Sequence, residues 1–523
     1  MNRELSAARQ WASLAVLVAG VLLLAIDATV LYLAVPALTA DLAPTATQVL
    51  WIGDIYSLAV AGFLVTMGNL ADRVGRKRLL LIGAAAFGFA SLLAGFAPNP
   101  GVLIAARLIL GIAGATIMPS TLSLIRVIFP DEGQRTKAVA IWSAASSGGI
   151  AIGPLVGGAL LEHFWWGAVF LINLPVVVLL LIFGAWLLPE SRNPQPARFD
   201  LLSSLLSLLA IVPFVFVIKQ LAGGDFGPVT IGAFVAGVVG LVLFVSRQRR
   251  SEDPMIDVGL FANPAFTGAV LVNLISIFAL AGVLFFFSQY LQLARGLSPL
   301  GAGIAQLPVA LGAMSAFVFV GFLFRRLGRG RAIAAALLLG AAGLVGVSVA
   351  EHTQSLGWVL VALVPLGLGN GIAEALSIDA VVTAVRPEKA GSAASISETA
   401  YELGGALGIA ILGSVVTVLY RAHLVLPAHL SPAAAEQTRD SLASAAQVLD
   451  PGSTAFAAAR EAFVNAMETT TLIAAAIMVV AALVAHLSFP PGKSGTSFTP
   501  KHGHTERGCF VYGKKCRPDP GRD

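Results

Sequence analysis

Fourteen long apolar runs constrain the fold of this 523-residue chain more than any other feature. A run of about 20 apolar residues crosses roughly 30 Å of hydrocarbon as a helix. Helix 1 is too long to be the apolar region of a signal peptide, and no small-residue cleavage site follows it. The pattern predicts an all-α integral membrane protein with 14 transmembrane helices. The runs, numbered as helices 1 to 14, cover residues 11–35, 51–70, 79–97, 101–124, 137–161, 167–188, 200–220, 228–246, 265–290, 300–324, 332–350, 357–384, 393–420 and 468–488.

The charge content agrees with this prediction. Only 12% of the residues are charged and 57% are hydrophobic, whereas a soluble domain carries roughly 25% charged residues. A soluble enzyme is therefore excluded as the first hypothesis. Because the sequence contains no phosphate-binding loop, metal cluster or nucleophile constellation, we expect neither enzymatic activity nor a cofactor.

The basic residues are divided unequally between the two sets of loops. If the N-terminus is cytoplasmic, nearly all of the 33 Lys and Arg residues lie in the inner segments, as the positive-inside rule requires. The outer loops keep Arg295, Arg421, Arg439 and Arg460. This asymmetry predicts a multi-pass protein of the cell inner (cytoplasmic) membrane with both termini cytoplasmic. The net charge of +5 then reflects topology, and we expect no nucleic-acid partner.

An internal repeat divides the chain. The loop after helix 2, residues 68–78, aligns without gaps with the loop after helix 10, residues 321–331, although Arg325 replaces Asp72. Repeats of this kind mark the halves of transporters, packed around a central site. The predicted parts are an N-terminal six-helix bundle (1–195), inserted helices 7 and 8 (196–250), a pseudo-symmetric C-terminal six-helix bundle (251–490) with an outer loop (421–465), and a disordered cytoplasmic tail (491–523).

Asp27 is an acid in the middle of helix 1. It lies about 14 residues into the helix, which at 1.5 Å per residue is about 21 Å from the cytoplasmic end. A carboxylate near the bilayer centre costs about 2.5–3.5 kcal/mol, and desolvation disfavours its charged form. Asp27 can therefore load and release a proton as a cavity switches sides. The alternative is a permanently protonated Asp27 that is hydrogen-bonded between helices.

Other polar residues within the runs are candidates for the same site. Arg107, six residues into helix 4, either pairs with carboxylates of the cavity or snorkels to the outer interface. The aromatic run Phe285 to Phe287 with Tyr290 could stack on a cation or form a lipid-facing belt. The acids are Asp54 near the outer end of helix 2, Glu374 in helix 12, and Glu398 and Glu402 on one face of helix 13.

Buried carboxylates of this kind suit a lipophilic cation, because the cation can discharge them as a proton would. A different reading is open for helix 13. There Glu398 and Glu402 could face Arg386 or Lys389 as ordinary intracellular salt bridges.

Two further patterns have both a structural and a functional interpretation. Gly149, Gly153 and Gly157 recur every four residues on helix 5, which predicts close helix contact, and Pro154 predicts a bend beside them. In the loop after helix 2, Asp72 can pair locally with a neighbouring cation or cap the N-terminus of another helix. Ordinary small-residue packing would account for the glycine spacing equally well. The positive-inside rule accounts for the basic residues of the loop, but not for Asp72 or for Gly75, which allows a tight turn.

Together these motifs resemble the major facilitator superfamily, and within it the fourteen-helix drug:proton antiporter branch. The resemblance covers about residues 10 to 488 and rests on four segments, with Trp165 departing from it because Arg is usual there. These are residues 68–78 (G-x-L-A-D-R-x-G-R-K), residues 103–115 on helix 4, residues 149–158 on helix 5 and residues 26–36 on helix 1.

The resemblance implies a monomeric exporter of lipophilic, cationic drugs that exchanges them for protons across the lipid bilayer by alternating access. The loop at Asp72 would be a latch, one-sided because of Arg325, the helix 5 glycines would pack the two halves together, and the outer loop would form a helical hairpin over the exit. The implied residues are Asp27, Arg107 and Glu402 for proton coupling; Asp54, Glu374, Glu398, Glu402 and Tyr290 for substrate binding; and Gly68, Asp72, Arg73, Gly75, Arg76, Gly149, Gly153, Pro154 and Gly157 for gating.

Two alternatives stay open. The first is an exporter dedicated to one endogenous metabolite, antibiotic or lipid, and the second is a non-transporting membrane receptor or assembly factor. A metal site is not predicted, because the six-residue gap between Cys509 and Cys516 fits no compact zinc pattern with His502 and His504.

Overall fold

The computed structural model describes residues 6–489, apart from residues 193–199, 225, 252, 253, 255, 352, 354, 386–389, 428 and 429. This part contains 14 helices that are long and apolar enough to cross a membrane, and no β-strand occurs within it. The prediction of an all-α integral membrane protein is confirmed. The predicted tail at 491–523, with its histidines and cysteines, lies outside the described residues, as do Arg386 and Lys389.

The helices extend beyond most of the predicted apolar runs. Helix 14 begins at Thr454, well before the predicted start at residue 468, because its first turns bury Phe456 and Phe463 against protein rather than lipid. The fourteen helices are Ala7–Leu42, Ala46–Val74, Arg76–Gly95, Pro100–Ile128, Glu132–His163, Ala168–Leu171 continued by Asn173–Leu187, Leu201–Gly223, Pro228–Arg250, Pro264–Gln289 continued by the π-helical turn Tyr290–Ala294, Pro299–Leu327, Arg329–Glu351, Leu356–Thr383, Ala390–His423 and Thr454–Ser488.

Local sequence explains several of the helix starts. Thr45 accepts a hydrogen bond from the Gln48 backbone while the Gln48 side chain accepts one from the Thr45 backbone, which is a capping box at the start of helix 2. Asn99 and Ser298 cap helices 4 and 10 and are each followed by a proline, whose fixed φ suits the first helical position. Side-chain caps therefore set where these three membrane crossings begin.

The two six-helix bundles repeat one packing pattern. Helix 1 packs on helix 5 as helix 9 does on helix 13, and helix 4 packs on helices 2 and 3 as helix 12 does on helices 10 and 11. Gly75 and Gly328, at equivalent positions of the repeated loop, both have positive φ, 120° and 72°. The halves meet where helix 5 packs on helix 10 and where helix 2 packs on helix 13. Two pseudo-symmetric bundles with an inserted helix pair are thus confirmed.

The inserted pair lies beside one of these two contacts between the halves. Helix 7 packs on helix 8 and also contacts helix 2 and helix 13. Arg247 at the end of helix 8 pairs with Asp200, which precedes helix 7, at 2.9 Å. Helix 7 therefore covers the contact between helices 2 and 13, while helix 8 covers helix 7.

The two ends of the bundle differ in how the halves meet. We call the end at which helix 1 begins the basic end. The other is the loop end, where two short helices, Pro432–Asp440 and Leu442–Val448, follow helix 13. At the loop end Gln292 donates a hydrogen bond to the Leu33 carbonyl at 3.0 Å, and the Leu300 amide donates to Glu162 at 3.3 Å. The halves are thus joined across the loop end.

Toward the basic end the contact between helices 5 and 10 is lost. Helix 5 has one fully buried residue, Ala138, before Gly149. On helix 10, Ala316 is the last fully buried residue, although the helix continues to Leu327. Both helices therefore bury few residues over this stretch, in contrast to their closely packed segments nearer the loop end.

Candidate functional site

Asp27 is completely buried in the first half. Its Oδ2 lies 3.2 Å from Nη1 of Arg107 on helix 4, and its Oδ1 accepts a hydrogen bond of 2.7 Å from Nδ2 of Asn173 on helix 6. The Arg107 side chain is 1% exposed, so the alternative in which it snorkels to the interface is wrong. Two of the intramembrane charges that the sequence singled out thus form one ion pair.

Arg107 also contacts helix 2. Its Nε donates a hydrogen bond of 3.2 Å to the Ile52 carbonyl, and its guanidinium carbon lies 4.8 Å from the centre of the Tyr56 ring. The absence of a side chain at Gly111 makes this possible, since a Cβ there would lie 2.7 Å from that of Ala59 on helix 2. Arg107 therefore links Asp27 of helix 1 to the contact between helices 2 and 4.

Asn173 is a site residue that sequence reasoning did not single out. Helix 6 is interrupted at Ile172, and Asn173 begins its second part, with Nδ2 also donating to Ser91 Oγ at 3.1 Å. Its Oδ1 is buried without a hydrogen-bond partner among the described residues. The signal that could have revealed it is a lone amide between Phe170 and Pro175 in an otherwise apolar run.

The acids of the second half lie close together. Glu374 of helix 12 and Glu398 and Glu402 of helix 13 are half-buried, although they stand within apolar helices. Glu398 interacts electrostatically with both of the others, and Glu402 accepts a hydrogen bond from Ser57 of helix 2. Within the described ranges, no ion pair neutralises any of the three. We call these three residues the acidic cluster.

Two tyrosines of the first half lie between the buried ion pair and the acidic cluster. Tyr32 interacts electrostatically with Arg107 and Glu402, and Tyr56 interacts with these two and with Asp27. The Tyr32 ring packs edge-on against Phe285 of helix 9, with 5.4 Å between the ring centres. The Asp27–Arg107 pair and Glu402 of the acidic cluster therefore act on the same two tyrosines near the interface between the halves.

Asp54, a predicted substrate ligand, has a partner within the protein. Its Oδ2 lies 2.7 Å from Nζ of Lys219 on helix 7, and neither side chain is exposed. The ammonium lies 3.6 Å from the centre of the Trp51 ring. Lys219 thus neutralises the charge of Asp54 where helix 2 contacts the inserted pair. Asp54 therefore offers no free carboxylate to a ligand there.

Tyr290 is likewise occupied by protein groups. Its hydroxyl donates to the Glu351 carbonyl at 3.0 Å and accepts from Arg295 Nε at 2.6 Å, while its ring stacks on Phe287. The alternative of a lipid-facing belt is wrong for this aromatic run, because Phe285, Phe286 and Phe287 are all buried in the protein. The structure buries the run within the protein, with Phe285 at the interface with helix 1, and not at the bilayer surface.

The loop after helix 2 pairs locally. Arg76 Nη2 lies 2.8 Å from Asp72 Oδ1, and the Arg76 backbone amide donates to the Ser191 carbonyl at 2.9 Å, both within the first half. Gly75 is required by its positive φ, whereas a Cβ at Gly68 would make only an ordinary contact of 3.6 Å with Pro119. Arg73 is exposed. Of the two roles predicted for Asp72, this conformation therefore has the local pair.

The glycines of helix 5 face helix 1. A Cβ at Gly149 would lie 2.6 Å from that of Ala25, one at Gly157 would lie 2.7 Å from Val30, and one at Gly153 would clash with Thr29. This corrects the expectation that the stripe packs the two halves together, because helix 1 belongs to the same half as helix 5.

The contact with the second half uses a neighbouring face of helix 5, about 100° around the helix axis. There a Cβ at Gly158 would lie 2.6 Å from the Pro299 carbonyl, and the Pro154 carbonyl abuts Gly303 of helix 10. Pro154, one of the predicted gating residues, is therefore at the interface between the halves.

Known proteins are similar in sequence to this chain over most of its length. A profile of the Major Facilitator Superfamily matches residues 17–409. The chain is 44% identical over 486 residues to "Multidrug efflux pump LfrA" of Mycolicibacterium smegmatis, covering 92% of this chain and 96% of that protein. It is 37% identical over 464 residues to "Methyl viologen resistance protein SmvA" of Salmonella typhimurium, covering 87% and 93%.

Solved structures share the fold. A bacterial homologue of the human lysosomal transporter Spinster, in an inward-facing and unoccupied conformation, gives a TM-score of 0.64 at 17% identity and covers 93% of this chain and 100% of its own. At that identity the likeness concerns the fold alone. From the profile and the sequence relatives, the chain belongs to the Major Facilitator Superfamily, in its fourteen-helix branch of drug efflux transporters, and is a membrane transporter rather than an enzyme.

Proposed function

We propose that this transporter exports lipophilic cations from the cell in exchange for protons. The observation that carries the proposal is that the buried Asp27–Arg107 pair of one half acts on the same two tyrosines as Glu402 of the acidic cluster, which has no ion-pair partner among the described residues. A cation and a proton compete for the same carboxylates in such a site. The relative named for resistance to methyl viologen, a dication, supports this substrate class.

The proton is exchanged at Asp27 in this mechanism. Protonation removes the negative charge that compensates Arg107, and an uncompensated buried charge costs about 3–5 kcal/mol. A bias of this size is close to the roughly 5.5 kcal/mol that shifts a two-state equilibrium almost completely from one conformation to the other. Arg107 then gains by approaching Glu402, which interacts with the same two tyrosines.

The acidic cluster binds the substrate. With Asp27 deprotonated and paired, the carboxylates of Glu374, Glu398 and Glu402 have no described cation beside them and attract a cationic ligand. When Asp27 takes up a proton and Arg107 turns toward the cluster, the guanidinium competes with the ligand for the same carboxylates. Proton binding and drug binding therefore exclude each other.

Alternating access follows if the two bundles, residues 1–195 and 251–490, rock about their shared interface. In this mechanism the drug enters at the basic end, where helices 5 and 10 bury few residues, and the positive-inside rule assigns that end to the cytoplasm together with both termini. Helices 7 and 8, residues 196–250, follow the first half, because the Asp54–Lys219 pair and a hydrogen bond between Thr66 and Ser204 hold helix 7 to helix 2. This conformation is the one that loads drug from inside.

Proteoliposomes with an imposed pH gradient test the proposal. Adding the lipophilic cation tetraphenylphosphonium should move protons in the opposite direction, whereas neutral triphenylphosphine oxide should not. The variant Asp27→Asn should abolish this exchange, and the matched control Glu461→Gln, which neutralises an exposed acid of helix 14, should retain it. Unaltered exchange in Asp27→Asn would remove the coupling role.

The range of substrates separates the remaining candidates. Exchange with many unrelated cations supports a multidrug exporter, and exchange with a single compound supports a dedicated exporter. No exchange with any compound tested would favour a receptor and contradict the proposal.

A further inference from the structure

Glu351 is a buried acid that the proposed mechanism does not use. It is the last residue of helix 11, at the loop end of the second half, and it is 3% exposed. Both of its carboxyl oxygens are buried, and neither has a hydrogen-bond partner among the described residues. Nor does Glu351 form an ion pair within that part of the chain. In this conformation the protein therefore encloses the carboxyl group without giving it a partner.

The charges near Glu351 do not compensate it. Glu468 of helix 14 is the stronger electrostatic neighbour and is itself an acid, whereas the weaker one is Arg295, which follows the π-helical turn of helix 9. The Arg295 guanidinium is directed at the backbone instead. Its Nη2 donates to the carbonyl oxygens of Ala350, Glu351 and Thr353 at the end of helix 11. The Glu351 side chain thus gains little from the one cation beside it.

A proton is the ligand that suits this environment. An isolated ionised carboxylate is so costly to bury that such a group becomes neutral instead. A metal ion would need more ligands than Glu351 and Glu468, and no set of three acids, histidines or cysteines in the described ranges is arranged to hold one. The surroundings of Glu351 therefore favour the protonated acid over the carboxylate.

The backbone of Glu351 is connected to a contact between the two halves. Tyr290 donates its hydroxyl hydrogen bond to the Glu351 carbonyl at 3.0 Å and accepts one of 2.6 Å from Arg295 Nε. Tyr290 begins the π-helical turn of helix 9, and such turns occur frequently at functional sites. Within the same turn, Gln292 donates a hydrogen bond of 3.0 Å to the Leu33 carbonyl of the first half. The end of helix 11 is therefore linked to the closed loop end through this turn.

We propose that Glu351 is a second proton-binding site, and that a proton taken up there from the outside permits the loop end to close. When the loop end opens, water reaches Glu351 beside the connection to helix 12, which begins at Leu356, and the acid ionises. Closing buries the side chain again, so closure requires the proton. This proton does not have to cross the membrane, unlike the one exchanged at Asp27. The inference rests on the proposed alternating access.

Other acids that join the halves at the loop end respond to pH in the opposite direction. Glu162 Oε2 accepts a hydrogen bond of 3.3 Å from the Leu300 amide, and Asp440 Oδ2 accepts one of 2.9 Å from the Ala46 amide. A charged acceptor makes the stronger hydrogen bond. Protonating either of these acids therefore weakens closure, whereas protonating Glu351 favours it. The sign of a pH effect on closure distinguishes Glu351 from the other two.

Distances between spin labels across the loop end test the proposal. The labelled background lacks the native thiols and the histidine that follows Glu351, which lies outside the described residues, and it carries one exposed label site on each half. Its substitutions are Cys509→Ser, Cys516→Ser, His352→Gln, Pro98→Cys and Ser355→Cys. In nanodiscs, pulsed electron paramagnetic resonance separates a short, closed distance from a long, open one. The closed population of this background should grow as the pH is lowered.

Neutralising Glu351 should remove the need for the proton. Glu351→Gln should raise the ratio of closed to open molecules at alkaline pH at least about tenfold, a gain that misfolding cannot produce. The matched control Glu461→Gln, which neutralises an exposed acid of helix 14, should keep the pH response of the background.

Two results would overturn the proton site. One is an equal ratio of closed to open molecules in Glu351→Gln and the background at alkaline pH, and the other is a closed population that grows as the pH is raised. Failure of the proposed function is observed separately, as the absence of cation-driven proton exchange in proteoliposomes of the native chain.

Discussion

Two buried ion pairs of the first half are similar in composition and different in setting. Asp27 and Arg107 are 3.2 Å apart, and Asp54 and Lys219 are 2.7 Å apart, with all four side chains at most 1% exposed. In each case an acid on one apolar helix compensates a base on another. Burial and charge alone therefore do not distinguish a working pair from a structural one.

What distinguishes them is whether the cation has a second acid to approach. Arg107 lies within electrostatic reach of the same tyrosines as Glu402. Lys219 is enclosed by Trp51 and donates to Asp54 Oδ1 at 2.9 Å in addition to the contact with Oδ2. In the proposed mechanism the first pair exchanges partners as the halves move, whereas the second joins the inserted helix 7 to helix 2.

The largest difference in proton exchange is expected when both charges of one pair or of the other are removed. The double variant Asp27→Asn/Arg107→Met should lower proton exchange in proteoliposomes by about 100-fold or more, because the 3–5 kcal/mol that biases the two conformations is lost. The double variant Asp54→Asn/Lys219→Met should keep exchange within a few-fold of the parent. If both double variants lose exchange equally, the two pairs do not differ in function.

The next-largest effect is expected when only one charge of the Asp54–Lys219 pair is removed. Lys219→Met leaves Asp54 buried and unpaired, which should lower the free energy of unfolding by about 3–5 kcal/mol. Thermal unfolding in detergent measures this, and adding Asp54→Asn should restore most of the midpoint. A Lys219→Met protein as stable as the parent would show that Asp54 has another partner.

The sequence predicts the helices well because hydropathy is a local property, but it does not predict pairings between distant helices. Asp54 and Lys219 are 165 residues apart, and each was a lone charge near the outer end of its own helix. Two opposite charges at similar membrane depth were a usable signal. Nothing in the sequence indicates, however, that helix 7 packs on helix 2.

The helix 5 glycines illustrate the same limit. Their four-residue spacing predicts a face without side chains, which the structure has, yet the spacing carries no information on which helix approaches that face. Helix 1 does so at Gly153, while helix 10 uses a neighbouring face at Gly158. Asn173 was missed for a related reason. A lone amide in an apolar run does not reveal its partner, and only the structure places its Nδ2 2.7 Å from Asp27.

Asn173 allows a smaller test of the working pair. Asn173→Ala removes a hydrogen bond to a charged group, worth about 1.5–3 kcal/mol, and should slow proton exchange about tenfold or somewhat more. Ser91→Ala is the matched control, since Ser91 bonds Asn173 and not Asp27. Equal losses in the two variants would mean that Asn173 acts through packing rather than on the carboxylate.

The smallest effect is expected at an exposed ion pair. Comparing it with a buried pair separates the contribution of burial from that of charge. Arg329 of the second repeated loop lies 2.6 Å from Asp379 of helix 12, shorter than the buried Arg107 contact, but the Asp379 side chain is 52% exposed. Exposed pairs contribute about 0.2–1 kcal/mol because water screens them and replaces the lost partner. Asp379→Asn should therefore change the thermal midpoint far less than Lys219→Met and leave proton exchange near the parent. If its stability falls as far as that of Lys219→Met, the distance within a pair governs its contribution, and the comparison between buried and exposed pairs has to be given up.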